Sequence, residues 1–280
     1  MNDEVFTVDV GDGKLVMTVD HPEVEPLGTV ALVPAFAVTR DGMFAAAYAL
    51  SRNGFRVIRF DPRDHVGESS GEVIGFRLSR LAEDIDLVLS MPDVTALAAF
   101  SLGARPVLRS RVRPQAPRIL VAPAVNVRHT TGAASGIDFF AEDYDPPEFV
   151  TVLGCEVAGP QWLSDCLTHR FVDATDAQSD ARSGAGEVVL IAGRDDPWVH
   201  VAEVEAVARE AAAAGRGGRF STVAASSHQL NRHPTVAMRF IEAMTRELLH
   251  ACGYRESEVD VPSFSDVIAA RSLAGLSARW

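Results

Sequence analysis

Lysine is nearly missing from this chain: Lys14 is the single instance in 280 residues. Positive charge is scarce altogether, because 26 Lys and Arg stand against 38 Asp and Glu, for a net charge of −12. Nucleic-acid binding rests on neutralising phosphates, so a chain of this sign excludes nucleic acid as a partner. Cysteine is scarce too. Cys155, Cys166 and Cys252 are too few and too irregularly spaced for a disulfide framework or a zinc ribbon, and they read as free, mostly buried thiols. Long apolar runs are also lacking. None reaches the roughly 18 residues of a membrane span, and residues 1–10 are acidic and alternating where a leader would be basic and then apolar. No membrane span is expected, and the protein reads as cytoplasmic.

What is present is ordinary globular material, 47% hydrophobic and 23% charged. That is enough for one large α/β core, and residues 1–280 are read as a single domain. Alternation over 6–10 and 14–19, around Gly11, Asp12 and Gly13, predicts an antiparallel hairpin at one edge. Apolar runs at 29–33, 55–60, 95–100, 118–122, 187–192 and 219–224 predict further strands. Helical spacing over 42–52, 76–90, 200–214 and 234–251 interleaves with them, which gives an α/β fold with a mostly parallel sheet flanked by helices. Near the end, 259–261 reads as a short strand, followed by an Ala/Leu-rich helix.

Between the sixth strand and the next, residues 126–186 break this rhythm. Glycines and acidic residues surround an amphipathic segment, 147–171, that carries Phe149, Val152, Leu153, Trp162, Leu163 and Leu167. Such a stretch is too long for a simple connection and is read as a cap over the site.

Chemistry enters at residues 96–106, A-L-A-A-F-S-L-G-A-R-P, where a buried run, a small-residue turn and a helical pattern meet at Ser101. A serine on a sharp strand-to-helix turn needs small neighbours, because its backbone is strained and crowded. Ala99 and Gly103 meet that need, and Ser101 reads as a nucleophile. A hydroxyl becomes nucleophilic when a base takes its proton, and the resulting imidazolium needs an anion. G-R-D-D-P-W-V, after the strand at 187–192, offers Asp196, with Asp195 as its competitor. S-S-H-Q-L, after the strand at 219–224, offers His228. All three follow predicted strands, in the order serine, acid, histidine, which makes the set far more specific than the serine motif alone. The backbone N–H groups of Leu102 and of Phe36, in the loop after 29–33, would hold an oxyanion.

Other polar residues read more plainly. His65, in D-P-R-D-H-V-G-E-S-S (61–70), fixes its loop. His200, His228 and His233 lack a metal-ligand spacing, so no metal and no cofactor are expected. Arg105, Arg109, Arg111 and Arg113 form a basic stretch in an acidic chain. It reads as favourable charge at a helix C-terminus or, alternatively, as a contact for an acidic carrier protein.

On these residues the chain resembles the α/β-hydrolases. Among them it is similar to the acyltransferases of the bacterial luciferase fatty-acid-reductase pathway, which are acyl-carrier thioesterases. The matching pieces are N-G-F-R-V-I-R-F-D (53–61), H-V-G-E-S-S-G (65–71), A-F-S-L-G-A-R (99–105), D-D-P-W-V (195–199) and S-S-H-Q-L (226–230). I-D-F-F (137–140) and D-C-L-T-H (165–169) extend the likeness into 126–186. The resemblance implies an α/β-hydrolase fold with a cap inserted after the sixth strand, and a triad falling on Ser101, Asp196 and His228. It also implies release of a fatty acid from an acyl thioester through an acyl-serine, or transfer of the acyl group to a partner. The leading expectation is a serine thioesterase or acyltransferase acting on fatty-acyl or polyketide-like chains carried by an acyl carrier protein or coenzyme A. Two other readings stay open at this point: a carboxylesterase or lipase-like hydrolase of oxygen esters, and a non-catalytic binding protein on the same fold.

Overall fold

A computed structural model describes residues 2–225, 227–230, 233–254 and 259–276. Ser226 of the S-S-H-Q-L stretch and residues 256–258 of the expected tail lie outside the described residues.

The first six strands are β1 (Asn2–Asp9), β2 (Lys14–His21), β3 (Gly28–Val33), β4 (Phe55–Asp61), β5 (Val94–Phe100) and β6 (Arg118–Val121). A hairpin, β7 (Phe149–Val152) and β8 (Cys155–Ala158), precedes β9 (Val188–Gly193) and β10 (Arg219–Val223). The main sheet has the order β1-β2-β4-β3-β5-β6-β9-β10, and β7 pairs with β8 apart from it. As the alternation at the start of the chain predicts, β1 and β2 are antiparallel to each other, and β2 is antiparallel to β4. Every other ladder of the main sheet is parallel.

Parallel strands covered on both faces need apolar side chains at every position. In β5, Leu97 and Ala99 enter one core while Ala96, Ala98 and Phe100 enter the other. The first core is completed by α2 (Leu78–Ser90), α3 (Ala104–Val107) and α7 (Val201–Ala213). The second is completed by α1 (Phe44–Arg52), α8 (Pro234–Ala251) and α9 (Phe264–Leu273). This is the α/β-hydrolase architecture. No described helix is long and apolar enough to cross a membrane.

The excursion between β6 and β9 holds α4 (Val127–Ser135), the β7–β8 hairpin, α5 (Gly159–Thr168) and α6 (Ala174–Ser183). Its amphipathic segment is therefore a hairpin followed by a helix. Leu153 and Gly154 turn the hairpin with φ of 49° and 89°, the pair of left-handed residues that a two-residue type I′ turn requires. Pro160 sits in the first turn of α5, where a missing N–H costs no helical bond. Asp165 of α5 accepts the Ser79 N–H at 3.1 Å and the Ser79 hydroxyl, so a carboxylate lies at the start of α2.

Three of the four arginines in the basic stretch have partners within the protein. Arg105 is wholly buried, donates to Asp180 of α6 at 2.7 Å and to the Arg170 carbonyl at 3.0 Å, and lies over the Phe171 ring. Arg109 also reaches Asp180, at 3.2 Å, and covers the same ring. Arg113 donates to the Leu89 and Met91 carbonyls. Arg105 and Arg109 tie the excursion to α3 and the turn after it, Arg113 ties its own turn to the end of α2, and Arg111 is the exposed member.

Residues 259–261 form no strand. Instead, the Asn53 side chain at the end of α1 accepts the Asp260 N–H at 2.9 Å and donates to the Asp260 carbonyl at 2.7 Å. One side-chain amide satisfies both backbone groups that a ladder would have paired. Arg52 holds the Asp260 carboxylate beside it at 2.7 Å.

Candidate active site

Ser101 directly follows β5 and opens a single 3-10 turn, Ser101–Gly103, that leads into α3. Its φ is 50°, a left-handed conformation that costs a non-glycine residue roughly 1–3 kcal/mol and persists only where surroundings enforce it. The surroundings do so here. The Ser101 carbonyl accepts the Ala124 N–H at 3.0 Å, and a Cβ placed on Gly103 would stand 2.1 Å from the Pro34 carbonyl oxygen. Only glycine lets the turn pass that close to the end of β3.

Two other loops converge on this serine. After β9, the Arg194 N–H donates to the Val223 carbonyl at 2.9 Å and the Asp195 N–H to the Ala225 carbonyl at 3.0 Å. These bonds tie the acid loop to the segment leaving β10. Asp195 points to solvent, while Asp196 is 8% exposed. His228 is 7% exposed and lies between Asp196 and Ser101: Nδ1 is 2.8 Å from Asp196 Oδ2, and Nε2 is 2.6 Å from Ser101 Oγ. A carboxylate only accepts, so Nδ1 carries the proton and Nε2 is left to accept from the serine hydroxyl. The second oxygen of Asp196 accepts the Trp198 N–H at 2.8 Å, and the Trp198 ring packs beside the imidazole at 5.1 Å. The structure thus brings Ser101, Asp196 and His228 into one hydrogen-bonded line. Such a line can move a proton from a hydroxyl to an imidazole while a fixed carboxylate stabilises the cation.

Leu102 follows the serine in the chain, and Phe36 shares a cavity with it. Leu102 is the second residue of the 3-10 turn, and Phe36 belongs to a turn closed by the Val38 N–H on the Ala35 carbonyl at 3.1 Å. Phe36 and Ser101 both line a cavity of about 450 Å³, within the range of roughly 300–1,000 Å³ usual for small-ligand sites. Its far-reaching wall is made by Met43, Ala45 and Ala46, by Ala237 and Ile241 of α8, and by Arg271 of α9. Among the described residues, Arg271 is its sole guanidinium, and Leu153 is the sole contribution of 126–186. The part played by α8 and α9 was not read from the sequence, because alanine and isoleucine on a helix carry no mark that separates a ligand wall from ordinary core.

The cysteines and His65 lie outside this hydrogen-bonded line. Burial pushes the Cys166 thiol well up and Cys252 up to about 11, so neither favours a thiolate; Cys155 is raised in the same way. His65 is buried, which lowers its pKa to about 4, and its Nε2 accepts the Ala37 N–H at 3.0 Å. It therefore fixes the loop after β3 as well as its own. Among the described residues no group of three or more His, Cys, Asp and Glu has the geometry to hold a metal ion.

Comparison with known proteins places the chain in a family. The chain is 26% identical over 225 residues to an acyl transferase of Shewanella hanedai, which covers 78% of this chain and 72% of that protein. To an acyl transferase of Photorhabdus laumondii it is 26% identical over 254 residues, or 86% and 81% of the two chains. In fold, it is similar to the esterase Est1E of Butyrivibrio proteoclasticus with ferulic acid bound, at a TM-score of 0.67 and 18% identity over 88% of this chain and 98% of the other. It is also similar to the thioesterase domain from the curacin biosynthetic pathway, at a TM-score of 0.58 and 14% identity over 89% of this chain and all of that domain. Residues 25–270 match the model of the acyl transferase family, and the chain belongs to that family of enzymes acting on acyl groups.

Proposed function

We propose that the protein cleaves acyl thioesters, presented by an acyl carrier protein or coenzyme A, through an acyl enzyme on Ser101. The observation that carries this reading is the unbroken line from Ser101 Oγ through His228 to Asp196, opening on an apolar cavity. Ser101 Oγ attacks the thioester carbonyl as His228 Nε2 takes its proton. The Phe36 and Leu102 amides hold the oxygen that becomes anionic. The C–S bond then breaks, and His228 returns the proton to the leaving sulfur. Water, or another acceptor hydroxyl or amine, repeats the sequence in reverse: His228 takes its proton, the acyl–serine bond breaks and the proton returns to Oγ. Throughout, Asp196 orients the imidazole and balances its charge. Residues 126–186 act as a cap within a single α/β domain, to which Leu153 contributes as a lining residue of the cavity.

Intact-protein mass spectrometry tests this with a panel of acyl-pantetheine and acyl-carrier thioesters. An acyl adduct is expected on the wild type and none on Ser101→Ala, whose turnover falls by about 10⁴-fold or more. Absence of an adduct and of thioester turnover, or faster turnover of matched oxygen esters, would overturn the proposal.

A further inference from the structure

We propose that His65 is a positioning residue for the oxyanion hole, accepting the Ala37 N–H and so fixing the turn that carries the Phe36 amide. The inference rests on the acyl-transfer reading above. His65 leaves the end of β4, 28 residues beyond Ala37 in sequence, yet its Nε2 lies 3.0 Å from the Ala37 nitrogen. The opposite ring nitrogen, Nδ1, faces the Val66 carbonyl at 3.3 Å and carries the ring proton, so Nε2 presents a lone pair. Burial keeps the ring neutral at ordinary pH, which preserves that lone pair.

The turn needs such a partner. Ala37 has φ 63°, in the left-handed region that glycine occupies without penalty and alanine does not. Without a partner, the Ala37 N–H would be a part-buried donor left unpaired, and the peptide between Phe36 and Ala37 could flip to relieve the alanine. Either change swings the Phe36 backbone away from Ser101. The imidazole ring also packs against the Phe36 ring at 5.6 Å and the Phe76 ring at 5.5 Å, while the two phenyl rings meet at 4.6 Å. Side chain and backbone of the turn are therefore held by the same group.

A second link joins the same two loops at their base. The buried carboxylate of Asp61 accepts the Arg40 N–H at 2.7 Å and the Glu68 N–H at 3.0 Å, and pairs with the Arg40 guanidinium. Gly67 passes so close that a Cβ there would lie 2.2 Å from that carboxylate. With its own loop anchored in this way, His65 is a rigid acceptor.

The test compares His65→Leu, which removes the acceptor, with His65→Gln, whose amide oxygen restores one. Three readouts are needed: kcat and KM on a thioester, the Ki of an alkylboronic acid that adopts a tetrahedral oxyanion on serine, and the Ki of the product carboxylic acid. The leucine variant is expected to lose roughly tenfold or more in kcat and in boronate affinity, while KM and carboxylate affinity stay within about twofold. The glutamine variant should recover most of both losses. If the leucine variant does not fold, His65→Met carries the same comparison. Wild-type kcat and boronate affinity in the folded leucine or methionine variant, or an equal loss in the glutamine variant, would overturn the inference. A wild type that neither binds the boronate nor reacts with a fluorophosphonate would instead sink the acyl-enzyme reading beneath it.

Discussion

The cavity before Ser101 has two walls of different make. One belongs to the body of the fold: Ala45, Ala46, Ala237 and Ile241 sit on helices that share a core with five strands of the main sheet. The other is a single side chain, Leu153, at a two-residue turn between strands of four residues each. The helical wall is close-packed and cannot move without disturbing the core. The hairpin wall can shift while leaving the sheet intact. Under the acyl-enzyme proposal, the contrast assigns acyl length to the helices and access to the hairpin, with α6 as the anchor of the excursion.

Filling the helical wall should give the largest effect. Ala237→Trp places an indole in the cavity, and turnover of long acyl thioesters should fall by about 100-fold while the shortest acyl groups lose little. Steady-state kinetics across chain lengths checks this, and an equal loss at every length would break the assignment. Next comes the anchor. Asp180→Ala leaves the Arg105 guanidinium buried without its counter-ion, which costs about 3–5 kcal/mol. For a chain of this size that lowers Tm by roughly 10 °C in a thermal melt. With Ser101 and the helical wall untouched, kcat/KM at low temperature should change by less than about threefold, and a large loss would show that the excursion positions the catalytic groups. The smallest effect is expected at the hairpin tip. Leu153→Gly relieves a left-handed leucine, worth about 1 kcal/mol, and removes its contact with the cavity. KM should rise by about two- to fivefold with Tm unchanged or slightly higher, and a loss of kcat instead would give the hairpin a catalytic share.

The two walls also differ in how readily the sequence displayed them. Strands buried on both faces announce themselves as unbroken apolar runs, so the sheet and the loops after β5, β9 and β10 were legible, and with them the places of Ser101, Asp196 and His228. The β7–β8 hairpin was not. Its turn is Leu-Gly rather than Asn-Gly, and each strand is too short to establish a period. Arg105 misled for a different reason: a row of arginines looks like a surface patch until Asp180, 75 residues later, supplies the buried partner. The strand expected at 259–261 failed because Asn53 satisfies the backbone of Asp260 from a side chain, and such long-range pairing leaves no local pattern.

The joint between Asn53 and Asp260 bears on how the protein is made. Ribosomes deliver the chain in order, and α9, which that joint leads into, emerges after every residue of the Ser101–His228–Asp196 line. During synthesis the reactive groups can meet while the Arg271 side of the cavity is still open to water. Among the described residues, α9 brings none of the three groups of that line. Under the proposed reading, it completes the wall of the acyl cavity with Arg271.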